Sequence, residues 1–159
     1  MTDWIDDARR REDDDREKRL VEERARQHKN ACIRESLPSW WTLFVASIRE
    51  RTEKLKMAFP DNRTRHFAVE SGTPPERKIR LRPESGVRYL DLRIMESFPA
   101  LATELLVVDN SNPPKIVPLG EHQYNFELEN TRLLVNYDGS TYADAVALAD
   151  KIVREFVII

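Results

Sequence analysis

The sequence holds one cysteine, four glycines and no long apolar run. Cys32 alone can build no disulfide framework within the chain, and it rules out a cysteine-based zinc site. The scattered glycines form no phosphate-cradling pattern. Nothing approaches the roughly 18 consecutive apolar residues that span a bilayer. The opening MTDWIDDARRR lacks the apolar h-region of a secretory signal, so a cytoplasmic protein is expected. An excess of positive charge is missing too. The 26 Lys+Arg against 28 Asp+Glu give a formal net charge of -2, and no block is basic enough for an evident nucleic-acid surface.

What the chain does hold is unevenly placed charge. Its 159 residues are 40% hydrophobic and 34% charged, which suits one domain with an appendage. Residues 1–29 carry 9 Lys/Arg and 10 Asp/Glu, whereas residues 101–159 carry 4 against 9. Residues 3–35 contain neither Gly nor Pro, and opposite charges recur there at i,i+4, as in Arg9/Asp13, Arg11/Asp15 and Glu12/Arg16. Between Ala8 and Leu20 nothing is apolar, so this stretch predicts a solvated helix. Val21, Ala25, His28 and Cys32 then share a thin face. Leu37-Pro38-Ser39 predicts the end of the helix and the start of another, with Ser39 as its cap. Trp41, Phe44, Val45, Ile48 and Leu55 give that second helix a strong apolar face before Pro60 stops it.

After residue 62 the apolar period changes from 3.6 to 2. Strands are expected near 65–70, 78–82, 87–95, 103–108, 115–119, 122–128 and 131–137, with short connections that favour antiparallel pairing. Asp138-Gly139 marks a turn, and Ser140 or Thr141 is the expected cap of a closing helix. Its stripe is Tyr142, Ala145, Val146, Ala149, Val153 and Phe156, widened by Leu148, Ile152, Val157, Ile158 and Ile159. The expected class is α+β: an N-terminal helical hairpin or long helix, then a six- or seven-stranded antiparallel sheet capped by a C-terminal helix. The units are a charged helix at 1–36, an amphipathic helix at 39–59, and sheet plus helix at 63–159. Seven strands followed by one helix over 63–159 resemble the pleckstrin-homology-type barrel in element order alone. The tryptophan common in that family's last helix is absent, Phe156 being the large aromatic there.

Motifs for chemistry are sparse. His66 and His122 have no metal-like spacing, and no metal site or cofactor is expected. Cys32, with His28 one turn earlier, has no sign of a pocket or oxyanion donors around it. Asp91, Glu96, Glu104, Asp109, Glu127 and Glu129 are dispersed, which fits a charged sheet face better than acid–base catalysis. Gly139-Ser140-Thr141 could greet an anion at a helix start, but Asp138 beside it opposes one. No catalytic residue can be picked out.

Two features invite a partner. Lys78, Arg80 and Arg82 alternate with Ile79 and Leu81, and Arg93 lies near, forming a candidate anion or partner surface unless interleaved carboxylates neutralise it. Trp40, Trp41 and Phe44 form the second, since adjacent tryptophans cannot both face one core from one helix. The expected function is a non-enzymatic interaction or assembly module, self-associating or partner-binding through its N-terminal helices. The alternative is a small-molecule or lipid-binding cup between sheet and C-terminal helix, with or without a hydrolytic activity that no motif marks.

Overall fold

Helix α1 runs unbroken from Trp4 to Ala58 in this computed structural model, which describes residues 3–95, 99–130, 132–142 and 144–158. Asp3 caps its start, accepting a hydrogen bond from the Ile5 N–H at 3.4 Å. The expected break at Leu37-Pro38-Ser39 does not occur, and Ser39 is no cap. Pro38 lacks the N–H of a regular turn, a cost of about 3 kcal/mol in a helix interior. Against it stands one buried stripe, Ile33, Leu37, Trp40, Phe44 and Ile48, which passes Pro38 without a change of phase. Breaking the helix would put half of that stripe out of register with the core. Pro38 itself is exposed.

A 3-10 turn, Arg63–Arg65, leads into a seven-stranded sheet. The strands are β1 Phe67–Ser71, β2 Lys78–Pro83, β3 Arg88–Met95, β4 Ala100–Asp109, β5 Lys115–Glu129, β6 Arg132–Tyr137 and β7 Ser140–Tyr142. They pair antiparallel in chain order, β1 to β7. Among the described residues β1 and β7 do not pair, so the sheet stays open where the barrel resemblance implies closure.

Two expected strands, 115–119 and 122–128, are one. Gly120 does not end the strand: Leu105 faces Gly120 and Leu106 faces Pro118, leaving Leu119 as the extra residue of a bulge. That part of β5 pairs with β4 alone, and such an edge tolerates Pro118. Asp138 and Gly139, with φ of 47 and 76, make a two-residue hairpin turn joining Tyr137 to Ser140. Ser140 and Thr141 therefore lie in β7 rather than capping a helix. The cap of α2, Ala145–Ile158, is Asp144, whose carboxylate accepts the Ala147 N–H at 2.7 Å.

Period-2 alternation sends Ile79, Leu81, Leu90, Leu92, Ile94, Leu101, Tyr124, Phe126 and Val135 into the core with the buried stripe of α1. Helix α2 adds Ala145, Leu148, Ala149, Ile152 and Val153, while Val146 stays exposed. Phe156 meets Phe67 with ring centroids 5.2 Å apart. Arg51 of α1 and Asp150 of α2 pair at 3.3 Å. Of the terminal apolar run expected to cover the sheet, the Ile158 side chain and Ile159 lie outside the described residues.

Candidate functional site

The aromatic cluster forms, but it faces inward. Trp40 is 7% exposed; it stacks on Phe44 at 4.9 Å and meets Phe126 of β5 edge-on at 4.8 Å. Trp41 lies half-buried against the same Phe44 at 5.7 Å. The expectation that Trp40 lacks cover within the chain is corrected by Phe126, a strand residue that helix periodicity alone does not bring near. An unbroken α1 turns Trp40 into the stripe that Leu37 and Phe44 define. The Trp40 indole N–H is buried there without an acceptor among the described residues, so it holds its place by ring packing.

The cationic row also forms, and its charges are met. Lys78, Arg80, Arg82 and Arg93 share the outer face of the sheet. Arg80 donates to both carboxylate oxygens of Asp91, at 2.6 and 3.1 Å, and lies 4.3 Å over the Tyr89 ring. Lys78 approaches the same Asp91 at 3.8 Å. Arg82 pairs with Glu70 at 3.4 Å and Arg93 with Glu121 at 3.9 Å. The hydrogen bond to Asp91 raises the Arg80 guanidinium above its ordinary range, against the pull of burial. Three carboxylates, Asp91, Glu70 and Glu121, offset most of the row's four positive charges, leaving a weak field for an anion.

The remaining candidates stay apart. His66 is 7% exposed. Its Nε2 donates to the Phe59 carbonyl at 2.8 Å and its Nδ1 lies 3.4 Å from Glu84, which ties the end of α1 to the sheet. His122 is exposed, with Nδ1 2.7 Å from the Tyr137 hydroxyl. Cys32 Sγ lies 3.7 Å from His28 Nε2 on an open helix face. Glu96 and Ser97 fall outside the described residues. Among the described residues no group of three His, Cys, Asp or Glu is placed to hold a metal ion, and no helix is long and apolar enough to cross a membrane.

One polar centre was missed by sequence reasoning. Lys151 of α2 points into the sheet, 12% exposed at its side chain, with Nζ 5.3, 5.0 and 5.5 Å from the rings of Tyr124, Tyr137 and Tyr142. It binds Glu155 at 2.9 Å and the Tyr124 hydroxyl at 3.4 Å. Burial works to lower its pKa, but those two partners prevail and raise it. Burial raises Tyr124 against the counter-pull of Lys151. Its charge over three rings makes the lysine a tie between α2 and three strands. Its one sequence signal is a cation amid the apolar positions of α2, four residues before Glu155.

Beside this tie, Leu90, Thr103, His122, Tyr124, Ile152 and Glu155 border a space of about 200 Å³ between sheet and α2. Ligand pockets usually hold about 300–1,000 Å³. A larger open groove of about 510 Å³ lies at the far end of α2, walled by Arg65, Phe67, Arg88 and Phe156.

A long exposed surface lies on α1. Every residue from 3 to 29 is exposed, and packing begins only at Asn30. At 1.5 Å per residue, residues 4–29 form an arm about 39 Å long. Trp4 is 76% exposed, Val21 60%, and Ile5 and Leu20 48% each. No ion pair closes between described residues 3 and 29. Half of the expected i,i+4 pairs, Arg9/Asp13, Arg10/Asp14 and Arg11/Asp15, place Arg before Asp, the weaker order on a helix.

Comparison with family models, with curated proteins and with solved structures finds no match for this chain.

Proposed function

We propose that the protein is a non-enzymatic interaction module in which an α+β body holds out the arm, residues 4–29 of α1, to a protein partner. The carrying observation is the arm itself: a helix continuous with the core, yet without one buried side chain over residues 3–29. Ordering such a length has an entropy cost that local packing does not offset. Exposed Trp4 and Val21 supply the apolar contacts that a partner would cover. The binding surface is thereby moved from Trp40, Trp41 and Phe44, which the body uses, to the first half of the same helix. The unpaired Cys32 suits a cytoplasmic setting.

The test compares the full chain with a variant lacking residues 3–29, each expressed with a tag in its native host. The body of the shortened variant should melt as in the full chain, while the polypeptides retained by the full chain, including untagged copies of itself, should be lost. Equal retention by both proteins would overturn this reading.

A further inference from the structure

The geometry points to a second copy of this chain as the occupant of the arm, seated antiparallel about a two-fold axis between residues 12 and 13. This rests on the arm being a binding surface and names what binds it. Steps of three and four from Trp4 trace one stripe along the helix: Trp4, Asp7, Arg11, Asp14, Lys18 and Val21. Val21, Ala25, His28 and Cys32 continue it to the body. In an antiparallel pair with that axis, residue i faces residue 25 − i of the other copy. Trp4 then meets Val21, Asp7 meets Lys18, and Arg11 meets Asp14. By symmetry each contact occurs twice, and the seam holds two apolar contacts flanking four opposite-charge contacts.

The row beside the stripe, spaced every seven residues, independently repeats the match. The two-fold lays this row against its own copy, bringing Asp3 near Arg24 and Arg10 near Glu17. All four of these contacts in the pair are also of opposite sign.

Other arrangements fail on the same residues. Sliding the register by one heptad sets Trp4 against Asp14 in one direction and Arg11 against Val21 in the other. An in-register parallel pair sets Asp7 on Asp7 and Arg11 on Arg11. The bodies do not interfere. Residue 33, where deep burial begins, lies about 31 Å along the helix from the axis. The partner's Trp4 reaches only the level of Val21, short of the body. A seam with charges at its centre associates weakly and dissolves in salt. That suits reversible assembly.

The experiment is sedimentation of the full chain at ~100 µM, in ~20 mM and ~500 mM salt, where screening lengths are roughly 20 and 4 Å. A dimer at low salt that dissociates at high salt is expected. Asp7→Lys alone and Lys18→Asp alone should each weaken it by roughly ten-fold. Asp7→Lys with Lys18→Asp restores every cross-pair and should restore the dimer.

Direction is read with a spin label on Glu23→Cys in a Cys32→Ser background. Antiparallel arms hold the two labels about 30 Å or more apart, whereas parallel arms bring them to ~20 Å or less. A wild type that stays monomeric at low salt, a double variant that is not rescued, or a short label distance would each overturn the pairing. A monomeric chain that still retains another polypeptide through residues 3–29 would sink this inference and leave the interaction reading standing. Loss of that retention as well would sink both.

Discussion

The two halves of α1 obey different physics on one continuous backbone. Between residues 3 and 29 no side chain is buried, and good helix formers with mixed charge sustain the turns. From Ile33 to Ile48, five large side chains fall to 7% exposure or less, and the sheet and α2 hold the helix in place. The first half is local and polar, the second cooperative and apolar. The difference teaches that helical continuity and burial are separate properties. A helix rooted in a core can extend beyond it, and over residues 3–29 the extension leaves every side chain exposed.

The sharpest break of this comparison is a matched pair of truncations. Phe44 has no exposed surface and touches both tryptophans. Phe44→Ala should cost about 3–5 kcal/mol, combining lost burial with the cavity left behind. Trp4→Ala, a larger deletion on the same helix but at 76% exposure, should change stability by less than about 0.5 kcal/mol. Urea unfolding of both variants decides the matter. Similar losses would mean that the arm is packed after all.

The joint between the halves gives a smaller effect of opposite sign. Pro38 sits exposed inside α1, and its missing N–H is a defect that the buried stripe overrides. Pro38→Ala should raise stability by about 1–2 kcal/mol, the helix gain being partly offset by a freer unfolded chain. A lower melting temperature would show that the proline sets a bend on which the packing of Leu37 and Trp40 depends.

That proline also marks where sequence legibility ended. The α+β class, the order of elements and six of the seven strand segments follow from the change of apolar period at residue 62, because period reports which face is buried. Strong local punctuation misled where tertiary burial opposed it. Pro38 was outweighed by Ile33, Leu37 and Trp40, and Gly120 by the pairing of β5 with β4. Asp138-Gly139 was legible as a turn, but the three-residue strand after it was too short to show a period. For the candidate site, the aromatic cluster and cationic row were visible as patterns. Their partners were not. Phe126 reaches Trp40 across 86 positions of chain, and Asp91 reaches Arg80 across a hairpin. The solvated arm was legible because its signal is entirely local.

Lys151 offers a test confined to the body. Its folded pKa is raised, so its contribution is complete below the ordinary lysine value of 10.5 and disappears as pH climbs through the folded value. Tyr124 acts in the same direction, since the fold favours its neutral ring and resists ionisation above 10.0. Stability should therefore decline on the alkaline side. Lys151→Met should remove the lysine's share of that decline and leave that of Tyr124, while lowering stability at neutral pH by about 1 kcal/mol, mostly through the lost contacts with Glu155 and the tyrosine rings. Denaturant midpoints between pH 9 and 12 in both proteins provide the measurement. An alkaline slope that is unchanged in the variant would remove Lys151 as the tie.

The smallest effect belongs to the arm, and it bears most directly on the comparison. Deleting residues 3–19 removes Trp4, Ile5 and Ala8 as the only apolar residues, all of them exposed. Unclosed charge pairs on a solvated helix add little to stability. In ~0.5 M salt, where pairing between copies is screened, the melting temperature should shift by no more than about 2 °C. Helical signal should fall by the share of the deleted residues alone, with the sheet contribution unchanged. A drop of more than about 5 °C, well over 1 kcal/mol for a chain of this size, would show that the body draws stability from the arm. The two halves of α1 would then be one cooperative unit, and the exposed first half would lose its claim to be held out for a partner.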